Sequence, residues 1–584
     1  MPFPLSLLPM CGIAGLAFGQ RPVDPNELRR FTDTLIHRGP DGADIWIDGS
    51  TGFGHRRLAI LDLSDAGACP MTVTAPDGRT VVITYNGEVF NFLELRQELE
   101  GMGYRFRSGT DTEVVAAAWL AWGEQALLRF NGMFAFALWN VTERSLVLVR
   151  DRFGIKPLYY RAGARLAFAS ELKAFLALQD FRAQLNVPLA QLLMQDASPV
   201  EGGTHETMLQ GVSSLPAGHL LMIDAAGRGG VRRWWDTQAH VPAVPSRYEE
   251  QVEAFRALFL DAVRLRLRAD VPVGTCLSGG LDSSAVAGAI AAIHAGQQTG
   301  TAAFERTARD WQHAFIAAYP GSDLDERRHA DQVVDYTGIQ PHVMNFAHDA
   351  ATASVQECIW SGESVHGLVS APVWHLYAKL RAEGVLVSLD GHGGDELLGG
   401  YSSHLRVPRA QLNQHLHQEL HHNMLPNILR NFDRASMAHG IEVRMPLLDW
   451  RLVTFAAALP PDRKIGGGFT KRILRDAMAG LAPESIRWRR SKVGFNAPLI
   501  EWCNASLNPF LVDVTQLPFF TESPLWNGAQ LGRDLRARIA AGPWVYDDWS
   551  ELAKVAVVTS LTVFHRQFIE GIREPISAVE VAHV

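Results

Sequence analysis

The eight residues Leu277-Ser-Gly-Gly-Leu-Asp-Ser-Ser284 constrain this chain more than any other stretch. They lie between an apolar run, Val271 to Cys276, and a run of small residues, Ala285 to His294, a pattern that predicts strand, phosphate loop and helix. The adjacent glycines Gly279 and Gly280 let the backbone approach a phosphate closely. Ser278, Ser283, Ser284 and the N–H groups that open the helix supply donors for anionic oxygens. A carboxylate in the same loop, Asp282, would repel phosphate unless a cation stood between them. The loop is therefore expected to hold a nucleotide polyphosphate, ATP, together with Mg²⁺. An ordinary Gly-Ser turn has the same short pattern, so the rest of the chain has to decide.

Around this loop the pattern alternates. A helix precedes it, with Val252, Phe255, Leu258, Phe259, Val263 and Leu265 at near-helical spacing. Beyond it, Ala314 to Tyr319 reads as a strand, Asp325 to Tyr336 as a helix and Val385 to Leu389 as a further strand. Such alternation implies a doubly wound parallel sheet with ligands at the carboxyl ends of its strands. The last strand runs into Asp390-Gly-His-Gly-Gly-Asp-Glu-Leu-Leu-Gly-Gly-Tyr401, a second glycine-rich turn with paired carboxylates. The two loops are expected to face each other, Asp282 and Asp395 sharing Mg²⁺ over pyrophosphate. A Gly-x-x-x-x-Gly-Lys-Ser/Thr motif is absent from the sequence, which disfavours an ordinary P-loop kinase or GTPase.

At 584 residues the chain is too long for one core. A net charge of −8 leaves no basic face for nucleic acid, so small-molecule substrates are expected and no nucleic-acid partner. The five cysteines are scattered and in no metal-like spacing, which suggests a reducing cytoplasm. No segment reaches the roughly 18 apolar residues a membrane span needs, so no membrane association is expected. Assembly as a homodimer is left open.

The amino-terminal half carries its own set of groups. Cys11 heads the apolar run Cys-Gly-Ile-Ala-Gly-Leu-Ala-Phe, and Met10 precedes it. Were Cys11 the mature terminus, its free α-amino group, titrating near 8, could take the thiol proton. Residues 1–10 are accordingly read as a leader or a start placed too early. Arg57, in Gly54-His-Arg-Arg-Leu58, suits bidentate capture of a carboxylate. In Tyr85-Asn-Gly-Glu88, the Asn86 amide and Gly87 N–H can converge on a developing oxyanion. Asp111, in Ser108-Gly-Thr-Asp111, suits an α-ammonium group. Each piece alone also reads as a hairpin turn or a surface strand.

Together these pieces resemble a known family. Cys11-Gly-Ile-Ala-Gly, His37-Arg-Gly-Pro-Asp, Tyr85-Asn-Gly-Glu, Gly109-Thr-Asp111 and Arg150-Asp-Arg-Phe-Gly-Ile-Lys-Pro-Leu-Tyr159 look like the class II glutamine amidotransferase domain of glutamine-dependent asparagine synthetases. Ala169-Ser-Glu-Leu-Lys-Ala174 and Leu215-Pro-Ala-Gly-His219 extend the likeness. The second loop, with Asn431-Phe-Asp-Arg-Ala-Ser-Met437 and Ile441-Glu-Val-Arg-Met-Pro-Leu-Leu-Asp449, resembles the ATP-pyrophosphatase synthetase domain of the same family.

The resemblance implies a fold of mixed α/β and α+β class. An N-terminal-nucleophile αββα glutaminase sandwich over 11–235, a linker at 236–248 and a doubly wound synthetase domain over 249–584 would make it up. By the same resemblance Cys11 is the nucleophile, Arg57, Glu88 and Asp111 hold glutamine, and Asn86 and Gly87 form the oxyanion hole. Ser278 to Ser284, with Asp390 and Gly391, would bind ATP and its pyrophosphate, and Asp282 and Asp395 the metal. Lys471 would steady leaving pyrophosphate, Leu277 and Ala317 would line the adenine pocket, and Arg434 is a further phosphate-side candidate. The activity implied is glutamine-fed amidation of the aspartate β-carboxylate.

Two positions of the second loop depart from the family. Its second loop begins Ser-Gly-Glu-Gly, whereas this chain has Asp390-Gly-His392-Gly. That keeps open the same chemistry on another carboxylate, such as a sugar acid or an antibiotic precursor, or an amide or lactam closure. It is equally compatible with a variation that leaves the substrate unchanged. A scaffold that has lost catalysis is disfavoured by Asp282, Asp395 and Lys471. The histidines 415, 417, 421 and 422 read as a solvated helix face rather than a chelate, and the polar stretch 295–313 has no functional reading.

Overall fold

The computed structural model describes residues 11–195, 203–296, 306–365, 367–492 and 497–576. The leader assigned to residues 1–10 and positions 297–305 of the polar stretch lie outside the described residues.

Period-two alternation builds the amino-terminal half. Its strands are β1 (Gly12–Ala17), β2 (Gly42–Asp48), β3 (Thr51–Arg57), β4 (Met71–Thr74), β5 (Thr80–Val89), β6 (Gly132–Asn140), β7 (Ser145–Arg150), β8 (Tyr159–Arg161), β9 (Leu166–Ala169), β10 (Ser213–Ser214), β11 (His219–Ile223) and β12 (Gly229–Arg233). They pair antiparallel in two six-stranded sheets, ordered β10-β8-β9-β1-β3-β2 and β12-β11-β7-β6-β5-β4. On β6 alternate residues serve different cores. Ala135, Ala137 and Trp139 meet Ile13, Phe53 and Phe168 of the facing sheet. Phe134, Phe136 and Leu138 instead meet Val114, Val115 and Ala118 of the helix Asp111–Trp122. Helix Pro25–Asp33 covers the first sheet with Leu28 and Phe31. The layers are therefore helix, sheet, sheet, helix, as the resemblance implies.

The carboxy-terminal half holds β13 (Val273–Cys276), β14 (His313–Ala318), β15 (Gln340–Asn345), β16 (Val387–Leu389) and β17 (Glu442–Arg444), all parallel in the order β15-β14-β13-β16-β17. The chain winds one way from β13 to β15 and the other way through β16 and β17. The direction reverses between β13 and β16, where a ligand crevice forms in open sheets of this kind. Both glycine-rich loops leave strands that flank this reversal. Helix Arg327–Thr337 starts two residues later than expected, because the Asp325 carboxylate accepts the Arg327 N–H at 3.0 Å and so stays outside the first turn.

One apolar core joins the halves. Leu58, Ile60, Phe90, Met133, Phe153 and Ile155 pack in the same cluster as Leu389, Val443, Met445 and Leu447. Beside it lies a buried ionic network. Arg38 reaches Glu171 at 2.6 Å and Asp433 at 3.0 Å, Lys173 reaches Glu171 at 2.6 Å, and Arg434 reaches Glu363 at 3.1 Å. Among the described residues no helix is long and apolar enough to cross a membrane.

Candidate active sites in the two halves

Cys11 immediately precedes β1, and its sulfur lies against β3's exit, 3.4 Å from the Leu58 nitrogen. The pocket around it is walled by His55, Arg57, Cys69, Asn86, Gly87, Glu88 and Asp111 among others. Burial pushes the Cys11 thiol up to about 12. Such a thiol attacks only if a base takes its proton.

Asn86 is fully buried, and neither its amide nitrogen nor its amide oxygen has a partner. A buried amide left unpaired is costly unless something else satisfies it. Gly87 has φ +148, and a side chain there would collide with the Met133 backbone of β6. Only glycine therefore presents its N–H beside Asn86. Arg57 is steadied by the carbonyl oxygens of Ser64, at 2.7 Å, and Asp62.

Asp111 opens the helix Asp111–Trp122, behind the Thr110 cap. Its Oδ2 accepts from Tyr85 at 2.7 Å and the Val89 N–H at 2.8 Å, and burial lifts its carboxyl to about 6. Burial likewise raises Glu88 well above the usual carboxylate range, and Arg444 stands 3.6 Å from it. His55 is kept neutral, its pKa brought down to about 3 by burial. Three groups escaped sequence reasoning as parts of this pocket: His55, Cys69 and Glu442. Glu442 comes from β17 in the other half and completes the wall. No local pattern announces it, since only the docking of the halves brings it near Cys11.

In the second half, Gly279 at φ +72 abuts the helix Arg327–Thr337, where a Cβ would come within 2.5 Å of the Ala330 nitrogen. The turn is braced by Ser278 and Ser283, whose hydroxyl oxygens lie 3.1 Å apart, and by the Gly280 N–H donating to Ser278 at 3.2 Å. Ser284 is buried with its hydroxyl unpartnered. Leu277 is buried and its N–H donates to the Phe315 carbonyl at 2.8 Å, beside Ala317 on β14.

The second loop presses on the first. A Cβ on Gly391 would lie 2.8 Å from that of Asp282, and one on Gly394 would strike the Asp282 carboxylate. Lys471 bridges the two loops, paired with Asp282 and, at 2.7 Å, with Asp395. It does so from a left-handed backbone, φ +52, a strained state that a β-carbon rarely adopts without a local reason. Lys492 also pairs with Asp395 and was not anticipated from the sequence. The lysines hold the Asp395 carboxyl down at about 2 against the opposing effect of burial. Asp282 keeps one buried carboxylate oxygen without a partner. Paired carboxylates, a free oxygen and glycines that leave room suit a hard divalent cation.

Two candidates are put to other uses. The Asp390 carboxylate accepts from the Cys276 N–H at 3.1 Å, Ser388 at 2.6 Å and Tyr377 at 2.8 Å, so it ties β13 to β16 rather than facing a nucleotide. The three guanidinium nitrogens of Arg434 go to Glu363, Asp433 and the Ser170 carbonyl, so its charge is spent between the halves rather than on phosphate. Among the described residues the only trio with metal-like spacing is His404, His415 and Glu419. There His404 Nδ1 accepts the Tyr401 N–H at 3.3 Å, which leaves Nε2 to carry the proton it donates to Glu419 at 2.7 Å. A protonated Nε2 is no metal ligand.

A thiol pocket lined by an unpaired buried amide is joined to a parallel sheet whose switch point carries acidic and lysine-bearing loops, the arrangement of a two-site amide-transferring enzyme. Residues 10–235 match the glutamine amidotransferase domain family, and residues 254–412 and 407–566 match the asparagine synthase family. The chain is 30% identical over 548 residues to asparagine synthetase (glutamine-hydrolyzing) 3 of Bacillus subtilis (strain 168), covering 82% of this chain and 86% of that protein. It is 30% identical over 499 residues to asparagine synthetase B (glutamine-hydrolyzing) of Escherichia coli (strain K12), covering 83% and 81%. The chain belongs to the asparagine synthase family.

Proposed function

We propose that this protein is a glutamine-hydrolysing asparagine synthetase. Residues 11–235 release ammonia from glutamine, and residues 249–584, beyond the linker 236–248, use ATP to activate the β-carboxylate of aspartate in the cytoplasm. Cys11 attacks the glutamine side-chain amide, and the oxyanion that develops is received by the Asn86 amide and the Gly87 N–H. Arg57 takes the glutamine carboxylate, while Glu88 and Asp111 face its ammonium end. Because the Cys11 thiol is pushed up to about 12, its base has to be adjacent. The α-amino group of Cys11 is that base once residues 1–10 are gone.

In the other half, the Ser278–Ser284 turn holds the polyphosphate of ATP and Lys471 follows the leaving pyrophosphate. Asp282 and Asp395 would hold Mg²⁺, which neutralises phosphate charge when bound. Adenylation gives the acceptor carboxylate a leaving group, and ammonia then displaces AMP. Ammonia must arrive unprotonated, and the apolar core shared by the halves supports a route shielded from water.

The observation that carries this reading is the buried, unpaired Asn86 amide beside the Cys11 thiol. Coupled assays on Cys11→Ala test it. Asparagine formation from glutamine should vanish while formation from ammonium chloride stays within about twofold, since the nucleophile serves only the first site. Equal loss with both nitrogen sources would sink the division of labour.

A further inference from the structure

Amide formation from an acyl-adenylate and NH₃ yields AMP and one proton. On the adenylation reading proposed above, that proton is released beside the Asp282 and Asp395 loops, and something there must accept it. The nearby carboxylates are held by partners, and although Asp282 keeps one oxygen free, its charge is balanced by Lys471. Asp390 is tied to Cys276, Ser388 and Tyr377, and Asp282 and Asp395 are paired with Lys471, Asp395 with Lys492 as well. Glu396, the remaining acid of the loop, is buried and receives the Tyr401 hydroxyl.

His392 is different. It carries the sole side chain beyond hydrogen in the run Gly391 to Gly394, whose end glycines both abut Asp282. Its ring lies against Phe432, centroids 3.9 Å apart, and its Nδ1 is buried without a hydrogen-bond partner. Asp433 and Arg434, next to Phe432 on the same helix, are held in the network between the halves and do not pair with it. The loop thus places one uncommitted imidazole at the reaction crevice.

We propose that His392 is the catalytic base of the amide-forming step. As the ammonia nitrogen bonds to the acyl carbon, the carbon–oxygen bond to AMP breaks, its electron pair leaves on the phosphate oxygen, and the nitrogen's proton passes to the imidazole. Burial favours the neutral ring over the pull of Asp390, Asp282 and Asp395, so the acceptor is unprotonated before the step.

His392→Gln and His392→Ala decide it, each read in two assays with aspartate as acceptor. Aspartate-stimulated exchange of labelled pyrophosphate into ATP, which needs no base for nitrogen, should stay within about twofold of wild type, while asparagine formation from ammonium chloride should fall about 10²- to 10⁴-fold, the usual worth of a positioned base. Hydroxylamine, whose adduct sheds its proton more readily, should recover at least about tenfold of that loss. Exchange and amidation falling together, or amidation left intact, would overturn the proposal alone. A wild-type enzyme without aspartate-dependent exchange would overturn the adenylation reading and this proposal with it.

Discussion

The two sites use burial in opposite ways. In the glutamine pocket, burial dominates and drives groups toward their neutral forms: Cys11 up to about 12, Asp111 to about 6, Glu88 well up, His55 down to about 3. At the Asp282 and Asp395 pair in the nucleotide crevice the same burial is outweighed by lysine. Asp395 is held at about 2, and Lys471 is held above its usual value by Asp282 and Asp395. A pocket that must cradle a developing charge benefits from donors left unpaired and neutral surroundings. On the function proposed here, a crevice that receives a polyphosphate and its cation benefits from charges already fixed in place.

The contrast can be broken in order of effect. Removing the Cys11 thiol separates the sites most completely, as described above. Next, Asn86→Ala should lower glutamine turnover about 10²- to 10³-fold in kcat and leave ammonia-driven synthesis untouched, because one oxyanion donor is lost. Steady-state kinetics with the two nitrogen sources check this.

The network between the halves should matter to stability rather than to either chemistry. Arg38→Ala leaves Glu171 and Asp433 short of a counter-charge in a buried setting, which should cost about 3–5 kcal/mol of unfolding free energy. Chemical denaturation measures it, and a change well under about 1 kcal/mol would show that solvent reaches the network.

The smallest effect is in pH. Asp111 is raised from 3.8 to about 6, so the folded chain keeps a proton that the unfolded chain loses. Its contribution is present below about 4 and is lost as pH climbs through about 6. Asp395 is lowered to about 2, so its contribution is present above about 4 and is lost as pH falls through about 2. Melting temperature against pH should therefore lose its decline between about 4 and 6 in Asp111→Asn, while Asp395→Asn should lower it above about 4 and flatten its fall toward about 2.

Much of this was readable before folding. The β5 end Tyr85-Asn-Gly-Glu88 and the loop after Cys276 have side chains whose roles follow from neighbours within a few residues, so a one-dimensional pattern records them. Asp390 and Arg434 have partners that the chain does not reveal, for the converse reason. Both look like phosphate-side groups in the chain, yet each finds partners on distant elements: Asp390 on β13, and Arg434 at Ser170 across the interface. Lys492 and Glu442 were missed because each reaches its site from an element far along the chain.

By itself the sequence determined the layers and the loops, because alternation, glycine placement and turn chemistry act over a few residues and need no knowledge of what packs opposite. Only the tertiary structure decided which charges are spent on holding the halves together and which stay free. That choice depends on how far apart side chains end up and how much water remains between them, and neither quantity is written along the chain.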